Sequence, residues 1–312
     1  MFVKKHKVIN GESVISVTEL KYFSLADTLE CGQAFRYELL KKEGDYVEYL
    51  TVVSEHLIRV GQYSDGELLF FGIDDDVFDN ICLPYFSLDT DYSAIKKEVT
   101  SLANSPRLNE AADLADGIRI LRQDPWEALF SFIISQNNNI PRIRKIIRKI
   151  SAEYGRNLAL TKGKCPKDGA LTPCDGVCAD CGICYTFPTA RAVLDNPEGL
   201  LPSKPGFRYK YLLDAASKVD SGEINLSQIE SAHSYEYTVS ELKKICGVGD
   251  KVASCAALFG FANLEAFPID VWMKRAIDEY FDGSLDPKSL GNYAGVAQQY
   301  IFHYIRNLSK ND

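Results

Sequence analysis

The stretch Gly247-Val248-Gly249-Asp250-Lys251 sets a lysine at the start of an apolar segment, and nineteen residues later Asp270 stands inside Phe-Pro-Ile-Asp. A lysine amine attacks a sugar or carbonyl carbon only when it is neutral. The positive end of a helix dipole and an apolar pocket both favour the neutral amine. That gives a purpose to an otherwise unfavourable placement, because a cation at a helix N-terminus has the wrong sign for the dipole. A carboxylate beside the amine could stabilise the positive charge that develops on a sugar as its leaving group departs. Gly247 and Gly249 permit a tight turn and leave backbone N–H groups uncovered near a helix start, which suits a phosphate. Such a turn would grip a nucleic-acid backbone without reading its sequence. The same residues have plainer readings: Lys251 as a solvated surface charge, and Asp270 as the N-cap of the helix that follows it.

Cysteine is the second residue type that could do chemistry. Five of the nine cysteines crowd into residues 165–184. Cys174, Cys178, Cys181 and Cys184 follow an x3, x2, x2 spacing, with Cys165 upstream as an alternate ligand. Four thiolates that close could wrap a structural zinc ion or an iron–sulfur cluster; the alternative is a reduced Cys-rich loop. The first residues, MFVKKHKVINGESVISV, lack the long apolar run of a secretory signal. A cytoplasmic protein is therefore expected, with the cysteines serving metal or redox chemistry and not a disulfide framework.

The net charge of −8 argues against a uniformly nucleic-acid-binding surface, but local faces decide binding. One face is basic. In PRIRKIIRKI, residues 141–150, the isoleucines recur at helical spacing and leave Arg142, Arg144, Lys145, Arg148 and Lys149 on the other faces. A solvated helix face is the bland alternative.

The elements that must position these residues fall into two groups, and the 312 residues suffice for two domains. Residues 1–115 read mostly as strands, with DYVEYLTVVSEHLIRVG and GELLFFGI rich in β-branched and aromatic residues and a short helix around 91–104. From about 117 the pattern turns helical. PWEALFSFIISQ places apolar residues on one stripe, with Asp124 as N-cap and Pro125 at the helix start. Further helices are expected at 208–220, 238–245, 251–261, 271–281 and 291–307. The reading is an α+β protein: a β-rich N-terminal domain over 1–115 and a helical domain over 116–312 that carries a Cys-rich insert at 163–186. No apolar run is long enough for a membrane span.

The Gly-Val-Gly-x-Lys turn with Pro-Ile-Asp about twenty residues on resembles the helix-hairpin-helix DNA glycosylases, in the branch that uses a lysine nucleophile. GIRILRQDPWEALFSFIISQNNNIPRI (117–143), CGQAFRY (31–37), GFRYKYL (206–212) and YAGVAQQYIF (293–302) extend the resemblance to the 8-oxoguanine DNA glycosylase (Ogg) family over most of the chain, in the family's order. The resemblance implies an antiparallel, TBP-like N-terminal domain and a helix-hairpin-helix domain. It implies a protein that acts on double-stranded DNA containing 8-oxoguanine, needs no cofactor for catalysis and works within the nucleoid; a monomer is expected, since one active site suffices per lesion. Lys251 would attack C1′, expel the base and form a Schiff base, and β-elimination would then nick the strand. Asp270 would stabilise the transition state. The Gly32 carbonyl would accept from N7–H of 8-oxoguanine, a proton that guanine lacks. Phe302 and Cys255 would sandwich the extruded base, and Gln298 would bind its Watson–Crick edge. Asn137 would fill the vacated stack and Arg142 would hold the orphaned cytosine. Gly247 and Gly249 would meet the backbone, and Tyr185 would supply an aromatic wedge.

Each of these has a plainer reading as well. The asparagine run can be a helix cap and loop. Phe302 can be core, Gln298 surface, Cys255 a small buried hydrophobe, and Cys31-Gly32-Gln33 a turn. The sequence also departs from the family. Trp272 stands where eukaryotic members carry a histidine, although its indole N–H can still donate one hydrogen bond. The Cys-rich insert is not the usual connection, and it precedes Asp270, whereas known glycosylase clusters follow the catalytic aspartate. The competing functions are a glycosylase for alkylated purines, against which Lys251 argues, and a non-catalytic or metal- or redox-sensing helix-hairpin-helix DNA-binding protein.

Overall fold

The computed structural model describes residues 2–103, 105–158, 183–281, 283 and 285–311. Six antiparallel strands form one sheet: β1 (Val3–Ile9), β2 (Glu12–Thr18), β3 (Tyr37–Glu43), β4 (Tyr46–Val53), β5 (His56–Tyr63) and β6 (Leu68–Phe71), in the spatial order β1-β2-β6-β5-β4-β3. The long β-branched run that began at Asp45 is a hairpin, because Ser54 takes a left-handed turn (φ 53°) and pairs Val53 with His56. The two edge strands carry lysines, Lys4, Lys5 and Lys7 on β1 and Lys41 and Lys42 on β3. Charge on an edge discourages pairing with another chain. One face of the sheet packs on Leu25, Leu29, Phe78 and Phe86.

The rest is helical: Tyr92–Ala103, Pro106–Leu114, Pro125–Ser135, Ile140–Tyr154, Tyr209–Asp220, Tyr235–Leu242, Asp250–Gly260, Val271–Tyr280 and Ala294–Asn311 are the longer helices. The expected helices are present, most within a few residues. Helix Pro106–Leu114 and three shorter ones, Leu25–Glu30, Ala190–Asp195 and Leu226–Ala232, are not among the expected helices; the shorter three have too few turns for a clear apolar period. Helix Pro125–Ser135 is nearly all buried and packs against Asp250–Gly260. Tyr92, Ile95, Val99, Leu108 and Ala111 belong to the helical core and not to the sheet's core, so the chain joins the helical packing well before residue 116. No described helix is long and apolar enough to cross a membrane.

Polar side chains join sheet and helices. Gln33 is fully buried; its Nε2 donates to the Thr28 and Arg119 carbonyls at 2.8 Å each, and its Oε1 accepts from Leu121 N–H at 2.8 Å. Arg36 forms a two-point pair with Glu127, both distances 2.7 Å. A planar guanidinium and a carboxylate match in this geometry, which fixes orientation as well as distance. These bonds set the turn at Gly32 against helix Pro125–Ser135.

Candidate active site

Helix Asp250–Gly260 carries Lys251 and, one turn on, Cys255. Its N-cap is Gly249, which offers no side-chain oxygen to the first amides of the helix. A β carbon at Gly249 would meet nothing within 4 Å, so the space beside this helix start is open. Gly247 differs: its φ is +77°, and a β carbon there would lie 2.5 Å from three atoms of the Tyr211 ring. The first glycine is demanded by the fold, whereas the second keeps a helix start accessible.

Lys251 is half-buried. Its Nζ donates to Ser135 Oγ at 3.3 Å and lies 5.3 Å from the centroid of the Phe132 ring. Asp270 does cap helix Val271–Tyr280, its Oδ1 accepting from Met273 N–H at 2.8 Å. The cap and a role in chemistry are compatible, since Lys251 and Asp270 line one cavity of about 50 Å³. Gly32, Cys255, Gln298 and Phe302 line it too. Four separate segments of the chain thus converge there. Burial pushes the Cys255 thiol above its ordinary range against the pull of the Lys251 ammonium, so sulfur meets the cavity as a neutral thiol.

Gly32 closes the turn after helix Leu25–Glu30 with φ +94°. A β carbon would sit 3.2 Å from Ile140 Cδ1 and 3.7 Å from Phe302 Cε1. Both the left-handed backbone and the crowding therefore call for glycine.

The three asparagines divide their work. Asn138 donates from Nδ2 to the Ile134 carbonyl at 3.2 Å, tying off helix Pro125–Ser135. Asn139 caps the next helix by accepting from Arg142 N–H at 3.0 Å. Asn137 is exposed between the two helices in a left-handed conformation (φ 46°). Arg208, only 3% exposed, holds this turn: its Nε donates to the Gln136 carbonyl at 2.8 Å and its Nη2 to the Asn137 carbonyl at 3.1 Å. Arg142 is exposed and near enough to Arg208 to repel it electrostatically.

Three expected residues lie elsewhere. Tyr185 does not line the cavity; it forms a strand-like bridge with Asn157, and its carbonyl accepts from Arg36 at 2.6 Å. Trp272 is exposed on the first turn of its helix, beside exposed Ile269 and Val271, and does not line the cavity. Cys184 is buried among Leu50, Val52, Leu57, Leu158 and Ile183. Cys165, Cys174, Cys178 and Cys181 lie outside the described residues, and among those described no group of three or more His, Cys, Asp or Glu side chains could hold a metal ion. Sequence reasoning overlooked Arg208, its neighbour Phe207, and Gln299, which also lines the cavity. Phe207 is 49% exposed, with its ring 4.4 Å from the Arg208 guanidinium. All three sit inside segments that carried the resemblance, but a buried arginine bonded to carbonyls has no signature in one sequence.

Known proteins agree with this architecture. Residues 14–129 match the family described as the 8-oxoguanine DNA glycosylase, N-terminal domain. The N-glycosylase/DNA lyase of Saccharomyces cerevisiae is 30% identical over 285 residues, covering 85% of this chain and 69% of that one. The solved structure of MBOgg1 with a low-affinity DNA ligand superposes with a TM-score of 0.83 at 34% identity, over 99% of both chains. The 8-oxoguanine glycosylase/lyase of Clostridium acetobutylicum, solved with double-stranded DNA containing cytosine opposite 8-oxoguanine, gives 0.80 at 34% identity over 99% of this chain and 98% of its own. Likeness of this extent along nearly whole chains, in sequence and in fold together, settles the matter of kinship: the chain belongs to the 8-oxoguanine DNA glycosylase family.

Proposed function

We propose that this protein removes 8-oxoguanine from duplex DNA, preferably opposite cytosine, and then nicks the strand at the abasic site. The observation that carries the reading is the shared cavity: Lys251 and Asp270 line it together with Gly32, Cys255, Gln298 and Phe302. A DNA-binding hairpin without catalysis would need no lysine and carboxylate in one cavity.

The chemistry follows from those positions. A base inside a duplex shields C1′, so the nucleotide is extruded at a cost of a few kcal/mol. Lys251 Nζ, having given up a proton, attacks C1′. The bond from C1′ to the base breaks, and its electron pair leaves with the base, which takes up a proton. Asp270 faces the positive charge that develops on the sugar. Opening of the sugar gives a Schiff base between C1′ and Nζ. Loss of a proton from C2′ then expels the 3′ phosphate, and water releases the lysine. No step requires a metal or another cofactor.

The remaining side chains select and hold. The Gly32 carbonyl reads N7–H, Gln298 binds the opposite edge of the base, and Cys255 and Phe302 pack its faces. At about 50 Å³ the cavity holds a few waters at ~10–15 Å³ each, so it widens to take a purine. Phe302, half-buried and close to Gly32, is the side chain placed to move. Asn137 enters the vacated stack from the turn that Arg208 fixes, and Arg142 grips the orphaned cytosine. Phe207, and not Tyr185, is the aromatic exposed beside that turn, which supports it as the wedge. Gly247 and Gly249 present helix amides to a phosphate, and Trp272 lies on the exposed apolar rim. The Cys174, Cys178, Cys181 and Cys184 spacing supports a structural metal, which element analysis of the purified protein tests.

Borohydride trapping on a duplex with one 8-oxoguanine opposite cytosine tests the main reading. Wild type should form a covalent adduct and Lys251→Gln should not. Base loss without an adduct would exclude the lysine intermediate, and neither base loss nor adduct would exclude the substrate.

A further inference from the structure

Helix Ala294–Asn311 brings two glutamines to the cavity. Gln298 and Gln299 are each 4% exposed, and both line it. Gln299 Nε2 donates to Gln298 Oε1 at 2.7 Å. Gln299 Oε1 is shut away from solvent and has no hydrogen-bond partner among the described residues. A buried carbonyl without a donor is costly, and nearly all such groups in folded proteins are paired. Because this one belongs to a side chain that lines the cavity, an incoming ligand is the natural source of its donor.

Resting on the reading that an extruded guanine-type base enters this cavity, we propose that Gln299 is a second base-reading residue, whose Oε1 accepts from the exocyclic 2-amine. The Watson–Crick edge of such a base presents, in a row, the O6 acceptor, the N1–H donor and the 2-amine donor. A single amide side chain matches O6 and N1–H as a cyclic pair, with Nε2 donating to O6 and Oε1 accepting from N1–H. Gln298 fills that role. Its Oε1 then lies on the side of the base from which the 2-amine projects, and that is the oxygen to which Gln299 is bonded. A carbonyl has two lone pairs, so Gln298 Oε1 can accept from Gln299 and from N1–H together. Gln299 Oε1 remains as the acceptor for the amine. The two amides thus meet three groups of the base. An adenine-type edge carries an acceptor at N1 and no 2-amine, so it opposes one carbonyl and leaves the other unpaired. Sites built to pair a substrate's donors reject analogues that lack them.

The test uses 8-oxohypoxanthine, which keeps O8, N7–H, O6 and N1–H and lacks only the 2-amine. Single-turnover excision is measured for both bases opposite cytosine. Wild type should favour 8-oxoguanine by about tenfold or more, the range of one hydrogen bond to a buried group. Gln299→Met has similar length and no acceptor; losing its bond to Gln298 slows both bases alike, and losing the Oε1 acceptor should slow 8-oxoguanine further, bringing the preference toward one. The ratio of the two preferences removes any intrinsic difference between the bases as leaving groups. An equal loss on both bases, with the preference kept, would make Gln299 only a support for Gln298 and overturn the proposal. A wild-type preference near one would overturn it with no variant at all, so a misfolded mutant cannot shelter it. Failure of wild type to release 8-oxoguanine would instead remove the functional reading beneath it.

Discussion

Gly247 and Gly249 stand two residues apart in one turn, and alanine at each should fail in a different way. At Gly247 an L-residue would be held at φ +77°, which costs about 1–2 kcal/mol. Its β carbon would also lie 2.5 Å from the Tyr211 ring, inside any van der Waals contact. Overpacking of this kind adds about 1–3 kcal/mol. The sum, roughly 2–5 kcal/mol, corresponds to a melting temperature lowered by roughly 3–8 °C in a chain of this size. At Gly249 the backbone is extended (φ −99°, ψ −174°) and the space beside it is empty. Alanine there should cost about 0.5–1 kcal/mol as a poorer N-cap. Its methyl group, however, would stand where a phosphate approaches the helix amides. Loss of one hydrogen bond to a charged group is worth about 1.5–3 kcal/mol, or roughly 10- to 100-fold in affinity. Thermal melts and fluorescence anisotropy on a duplex carrying a stable abasic analogue separate the two outcomes. If Gly249→Ala bound DNA like wild type, the hairpin would not be the phosphate grip argued here.

Three further predictions concern the supports of the site. Arg208→Met should lower stability by about 2–4 kcal/mol, because it leaves the Gln136 and Asn137 carbonyls without their donor, and it should weaken lesion binding more than undamaged-duplex binding. Burial pushes the Cys31 thiol from its ordinary 9.0 up to about 12. Below pH 9 that thiol is protonated in the folded and the unfolded chain alike; above it only the unfolded thiol ionises, so stability falls as pH rises toward 12. Cys31→Ser should remove about 1.4 kcal/mol of the loss between pH 8 and pH 10, read from chemical denaturation at each pH. Lys145→Gln, on the exposed basic face of helix Ile140–Tyr154, should reduce the slope of log affinity against log salt by about 0.9 if that face meets a phosphate, and leave it unchanged if it is merely solvated.

Much of the fold was legible because its signals are local. Alternating and β-branched runs gave the strands, the stripe in PWEALFSFIIS gave the central helix, and Asp124, Asn139 and Asp270 each cap the helix that follows. The hairpin was legible because glycine spacing is tied to backbone geometry. Less legible were the partners of long side chains. Arg36 reads as one more charged residue until Glu127, 91 positions away in sequence, meets it. Tyr185 is a wedge candidate by position, and only the structure shows its backbone paired with Asn157 and Arg36. Phe207, which does stand exposed beside the asparagine turn, owes its place to Arg208 beneath it.

The sequence by itself determined the residue types that the chemistry needs and the local elements that carry them: a lysine after a glycine turn, an aspartate at a helix start, a glycine before Gln33, and a glutamine one turn before Phe302. Periodicity, capping and turn geometry are properties of a few neighbouring residues, so they can be read from neighbours alone. Only the tertiary structure decided that Gly32, Lys251, Asp270 and Gln298 face one cavity, and that Gln299 joins them with an unpaired carbonyl. Gly32 lies more than two hundred residues from the other three, and their meeting depends on how whole helices pack, which no local pattern encodes.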